Sequence, residues 1–131
     1  MEHYVTEKMT TDKRKAIMAK RRHETLDETM VDESVNWLKD NAEKMAQNRA
    51  NRLYLEQYTK SLKALIMKQF SDVSISAQER EAYAHTDYQE HLKAYRTAIF
   101  NDEKFRFLKV HHEARIEAWR TQQANIRAIK I

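Results

Sequence analysis

The chain has 131 residues, a formal net charge of +4, and no Gly, Pro or Cys, where average usage would give about 9 Gly and 6 Pro. Without Gly it cannot readily supply the positive-φ positions of tight hairpins, phosphate loops and nucleophile elbows. All-β folds, P-loops, dinucleotide fingerprints and G-x-S-x-G hydrolases are therefore excluded, and the lack of Cys removes disulfides, thiolate catalysis and Cys-based zinc sites.

Residues 1–31 carry Lys13, Arg14, Lys15, Lys20, Arg21 and Arg22 around the short apolar run Ala16-Ile17-Met18-Ala19. They read either as a short helix capped by Thr11 or Asp12, or as a basic arm that touches phosphate. From about Asp32 to Phe70 nothing interrupts a helix. Asp32, Glu33, Asp40 and Glu43 lie early and Lys60, Lys63 and Lys68 late, an order that suits the helix dipole. Val35, Leu38, Ala42, Met45 or Ala46, Ala50, Leu53 or Tyr54, Tyr58, Leu62, Leu65 and Ile66 recur at helical spacing. They predict one apolar stripe with an alanine-rich middle.

Ser71–Ser76 is the clearest break, because Asp72, Val73, Ser74 and Ile75 are poor helix formers. Ser76-Ala77-Gln78-Glu79 has capping-box spacing, predicting a short helix over Ala77–Ala84. Thr86-Asp87-Tyr88-Gln89 repeats the signal and opens a second long helix, Asp87 to about Ile129. Its stripe includes Tyr88, Leu92, Tyr95, Ile99, Phe105, Leu108, His112, Ile116, Trp119, Gln123 and Ile126, a spacing close to 3.5. The expected fold is all-α: two long helices in an antiparallel hairpin joined by a short helix, with a short N-terminal helix or basic arm. The domain division is 1–31 for the arm and 32–131 for the hairpin.

One hairpin does not cover Phe100, Phe107 and Trp119. Self-association would cover them, and so would the short segments at 1–31 and 77–84 folded back over a monomer. Tyr95, Ile116, Trp119 and Ile126 are the candidate oligomer interface; an intramolecular core is the other place for Trp119. The mean hydropathy of −0.90 and pI of about 9.3 accompany 6 Tyr, 4 Phe and 2 Trp. This suits long exposed helices better than disorder. No apolar run reaches the roughly 18–20 residues of a membrane span, and Met1-Glu2-His3-Tyr4 has no signal-peptide character. The expectation is a cytoplasmic protein with no membrane partner.

Charge concentrates at 49–70, where Arg49, Arg52, Lys60, Lys63 and Lys68 oppose only Glu56, a net +4, with Tyr54 and Tyr58 interleaved. Cations can track a phosphate backbone while aromatic faces stack on unpaired bases. These seven residues, Glu56 excepted, are the candidate DNA-binding set. The competing reading makes the tyrosines core and the cations a solvated helix face. A lone helix has no groove, so a site here needs neighbouring helices.

Six histidines invite a metal reading, but His111 and His112 point about 100° apart on a helix. Asp87 and His91 have ligand-compatible i, i+4 spacing of a kind common by chance. There is no H-E-x-x-H and no repeated E-x-x-H, so the expectation is no metal, no cofactor and no enzymatic activity. Glu79/Glu81, Asp102/Glu103 and Glu113/Glu117 read as surface carboxylates.

Two runs carry a resemblance. One is Asn51-Arg52-Leu53-Tyr54-Leu55-Glu56-Gln57-Tyr58-Thr59-Lys60-Ser61-Leu62-Lys63-Ala64-Leu65. The other is Glu79-Arg80-Glu81-Ala82-Tyr83-Ala84-His85-Thr86-Asp87-Tyr88, continued by Ala114-Arg115-Ile116-Glu117-Ala118-Trp119-Arg120-Thr121-Gln122-Gln123-Ala124-Asn125. Over about residues 33–128 the chain resembles the small helical UvsY-like recombination mediators of tailed bacteriophages. The resemblance implies a cofactor-free, ring-like homo-oligomer in the host cytoplasm. Such a protein binds single-stranded DNA and helps load a recombinase onto strands coated by single-strand-binding protein. The mediators' Lys-x-Arg-Leu element corresponds loosely to Arg49-Ala50-Asn51-Arg52-Leu53, which has one more residue between the charges. The rival expectation is a phage-encoded, non-enzymatic inhibitor or adaptor that binds a host or virion protein.

Overall fold

The computed structural model describes residues 11–16 and 26–130, and all its regular elements are helices. α1 covers residues 11–16, all exposed; Thr11 and Asp12, expected to cap it, are themselves helical. The remainder of the expected basic arm lies outside the described residues up to Leu26. Then come α2 (Glu28–Asp40), α3 (Ala42–Lys68), α4 (Ile75–Ala84) and α5 (Thr86–Ile129). The architecture is the expected all-α hairpin. α2 and α3 form one arm, α5 the other, and α4 sits at the turn. Leu26 meets Gln122, Ser34 meets His112, Arg52 meets Asp102 and Thr59 meets His91. Rising numbers on one arm meet falling numbers on the other, so the arms are antiparallel. The 44 residues of α5 make a rod of about 66 Å at 1.5 Å per residue.

The first arm is not the single helix expected from 32 to 70. Asp27 caps α2 four residues before Val31 by accepting a 2.9 Å hydrogen bond from Met30 N. Asn41 then leaves helical geometry, at φ −102° and ψ 2°. Its side-chain amide donates to the Trp37 carbonyl at 2.9 Å, beside its own backbone N–H at 3.0 Å. Met45 N still donates to Asn41 O at 2.9 Å. The side-chain donor thus shares the Trp37 carbonyl with the backbone at the junction of α2 and α3.

The expected break at 71–76 is present, with a shifted cap. Ser74 is the N-cap of α4, accepting from Ala77 N at 3.3 Å, and Ser76 lies inside the helix. Glu79, expected to close a capping box, reaches across to Lys63 at 3.5 Å. The α4–α5 corner turns on His85, whose Nδ1 accepts from Asp87 N at 3.1 Å. Gln89 reaches back to the Tyr83 carbonyl at 2.7 Å. Among the described residues no φ is positive.

Apolar packing concentrates at the α4 end, where Ile66, Ala82 and Tyr88 are buried against half-buried Leu62, Met67 and Phe70. At mid-hairpin the alanine that permits close approach is Ala98 of α5, which is buried. Ala42, Ala46 and Ala50, expected in the stripe, are exposed.

The α2 end is polar inside. Ser34 is fully buried at 0% exposure. Its hydroxyl lies 2.9 Å from His112 Nδ1 and accepts from Arg115 Nη1 at 3.3 Å. Trp37 stacks on the His112 ring, with centroids 4.4 Å apart. A neutral His112 can accept from the Ser34 hydroxyl at Nδ1, whereas a protonated ring would have to donate to an oxygen that already receives Arg115. Burial, then the charges of His111 and Arg115, hold His112 below its ordinary value of 6.5. The sign follows. As pH falls through about 6.5 the unfolded chain takes up this proton before the folded one. Stability is therefore full above that pH and declines as pH falls toward the folded value. Thermal midpoints should drop as pH falls below about 6.5, and His112→Gln should flatten that limb. A wild-type profile that stays flat there contradicts a lowered His112.

Candidate nucleic-acid interface

The seven residues expected to contact DNA all lie on α3, and the structure divides them. Arg52 faces inward. Its Nη1 lies 3.1 Å from Asp102 Oδ2 and 2.9 Å from Glu103 Oε1. These adjacent carboxylates on α5 would repel each other without it. The Arg52 hydrogen bond, and after it the charge of Arg106, hold Glu103 below its ordinary 4.5 against the opposing effect of burial. Arg52 therefore ties the two arms together. Lys63 is likewise engaged, 3.5 Å from Glu79 and 4.7 Å above the Tyr83 ring. Among the described residues, Arg49, Lys60 and Lys68 are exposed and have no carboxylate within 4.0 Å.

The tyrosines are not core. Tyr54 is 65% exposed, and Tyr58 stands at the surface, edge-on to His91 at 5.3 Å. Their rings stack on each other, 6.1 Å apart and 9° from parallel. At 100° per residue, Arg49 and Lys60 share one flank of α3, and Tyr54 and Tyr58 lie roughly 150° around the helix from them. Lys68 falls nearer the tyrosine flank.

The cationic flank has the neighbouring helix it needs. α3 and α5 enclose a groove of about 380 Å³ lined by the cations Arg49, Arg52, Arg106 and Lys109, the carboxylates Glu56, Asp102 and Glu103, and the apolar Met45, Leu53 and Phe105. Arg106 reaches Glu103 at 3.4 Å, and Lys109 reaches Glu113 at 3.8 Å. Arg106 and Lys109 are themselves exposed, and their pairs run along one helix, of the weak kind that exchanges readily for another anion. Arg106 and Lys109 were missed from the sequence. Their signal is the helical spacing of Glu103, Arg106 and Lys109, which gains meaning only once the register of α5 against α3 is fixed.

The histidines hold helices. His91 Nε2 lies 2.7 Å from Thr59 Oγ1 and 3.1 Å from the Leu55 carbonyl, acceptors that suit an Nε2–H donor. Tyr95 stacks on His91, 5° from parallel. Among the described residues there is no group of three or more His, Cys, Asp or Glu side chains placed to hold a metal ion, and no helix is long and apolar enough to cross a membrane. Of the residues expected at an oligomer interface, Tyr95, Ile116 and Trp119 are half-buried and Ile126 is exposed. Comparison with protein-family models, with curated proteins and with solved structures gave no match.

Proposed function

We propose that this protein is a non-enzymatic single-stranded DNA-binding accessory factor of recombination. The observation that carries the reading is the α3–α5 groove, where Arg49 is free and Arg106 and Lys109 are only weakly held beside Leu53 and Phe105. Phosphates lie along these cations. The strand then crosses the exposed outer side of α3 and stacks a base on Tyr54 and Tyr58. Lys60 and Lys68 add charge at either side of that path. Arg52 and Lys63 act as positioning residues, holding α5 and α4 against α3. The role of helping a recombinase onto strands coated by single-strand-binding protein rests on the resemblance of 51–65 and 79–125 to the phage mediators.

The test is fluorescence anisotropy of a labelled poly-dT oligonucleotide, titrated with the full chain at low and moderate salt. Saturable binding that weakens steeply with salt is the expected result, since each phosphate neutralised contributes a slope of about 0.7 on single strands. Absence of binding at low salt overturns the reading and leaves an adaptor or inhibitor that binds a host or virion protein.

A further inference from the structure

Resting on the DNA-binding reading above, we infer that Glu56 makes the α3–α5 groove selective for nucleotides whose base carries an amino group, with thymine its poorest ligand. The groove is polarised along its length. Counting outward from the contact of Arg52 with Asp102, the antiparallel arms set Arg49 beside Phe105 and Arg106, and Met45 beside Lys109. Glu56 lies on the other side of that contact, one turn past Arg52 on α3. Arg49, Arg106 and Lys109 therefore stand toward one end and Glu56 at the other, with Leu53 between them. The carboxylates of the groove differ in what answers them. Asp102 and Glu103 share Arg52, at 3.1 and 2.9 Å, and Glu103 also meets Arg106 at 3.4 Å. Glu56 is exposed and, among the described residues, has no cation within 4.0 Å, although Lys60 follows one turn later.

An ionised carboxylate accepts hydrogen bonds and donates none. It repels a phosphate, so the phosphate path stops short of Glu56, where the strand turns out over α3 toward Tyr54 and Tyr58. What approaches Glu56 is the edge of the base at that turn. From Arg49 to Glu56 the helix rises about 10 Å, comparable with the reach of one nucleotide from its phosphate to the far edge of its base. Single strands leave those edges unpaired and open to contact. Cytosine, adenine and guanine each present an amino group that donates to a carboxylate, whereas thymine sets carbonyl oxygens there. The charge of Glu56 thus lowers affinity for every strand, and an amino donor on the base offsets that loss.

The test is competition at neutral pH. A labelled dT oligonucleotide bound to the full chain is displaced by unlabelled dC or dT of the same length. dC should compete roughly threefold to tenfold better than dT, the worth of one hydrogen bond. Glu56→Gln offers both a donor and an acceptor in place of the charge. It should bring dC and dT to parity and tighten dT, with helicity by circular dichroism unchanged. Equal competition by dC and dT against the wild type overturns the inference and leaves the DNA-binding reading standing. A dC preference that survives Glu56→Gln also overturns it, since the preference then belongs to the strand and not to Glu56. Absence of binding by either oligonucleotide overturns both.

Discussion

Ile66→Ala is expected to lower the unfolding free energy by about 3 kcal/mol, the middle of the range for deleting a fully buried isoleucine side chain. Ile66 is 1% exposed and is the largest apolar side chain so deeply buried among the described residues. It belongs, with Ala82 and Tyr88, to the buried cluster in which α3, α4 and α5 share apolar surface. Total stability of a domain is about 5–15 kcal/mol, so this one truncation removes a large share. The control is Leu65→Ala next door. Leu65 is exposed, and its loss should change stability by no more than about 0.5 kcal/mol. Urea titrations followed by circular dichroism at constant slope measure both. A loss below about 1 kcal/mol for Ile66→Ala would mean that the three helices are held mainly by their polar contacts.

The second large effect is on DNA. Arg49→Ala with Arg106→Ala should weaken poly-dT binding and flatten its salt dependence by about 1.4, two phosphates at about 0.7 each. Tyr54→Ala should leave that slope alone and reduce affinity roughly fivefold to a hundredfold, the equivalent of about 1–3 kcal/mol for one stacked base. Arg52→Met should behave differently from both. It strands Asp102 and Glu103 without their shared cation, so its thermal midpoint falls while the salt slope holds. If instead Arg52→Met alone flattens the slope and leaves the midpoint unchanged, Arg52 contacts phosphate directly and the groove assignment fails.

Much of the fold was legible in the sequence. Two long helices, a short one between them and the break at 71–76 follow from periodicity and poor helix formers. The pairing of the arms was harder to read, because polar groups carry much of it. Arg52 with Asp102 and Glu103, Thr59 with His91, and Ser34 with His112 set the register. A search for apolar stripes passes over such contacts. The same cause misplaced Leu53, Tyr54 and Leu65, which were expected within a stripe and are exposed. Asn41 looked like an ordinary helix residue, since its effect depends on one side-chain hydrogen bond to Trp37. The candidate site was half legible. Composition located its cations and tyrosines on one helix, but only the packing of α5 showed which cations are occupied and added Arg106 and Lys109.

The corners of this chain are made without glycine or proline. Among the described residues, each junction between helices is held by side chains that take backbone partners: the Asn41 amide, the Ser74 hydroxyl with the Gln78 amide, and the His85 imidazole with the Gln89 amide. In most proteins a turn is a property of backbone freedom, spread over several residues. Here, among the described residues, the direction of travel is written in a few side chains at each junction, within a backbone otherwise suited to helix. The route of the chain in space is thus a separate inheritance from its helical content, and evolution can redraw the one while leaving the other untouched.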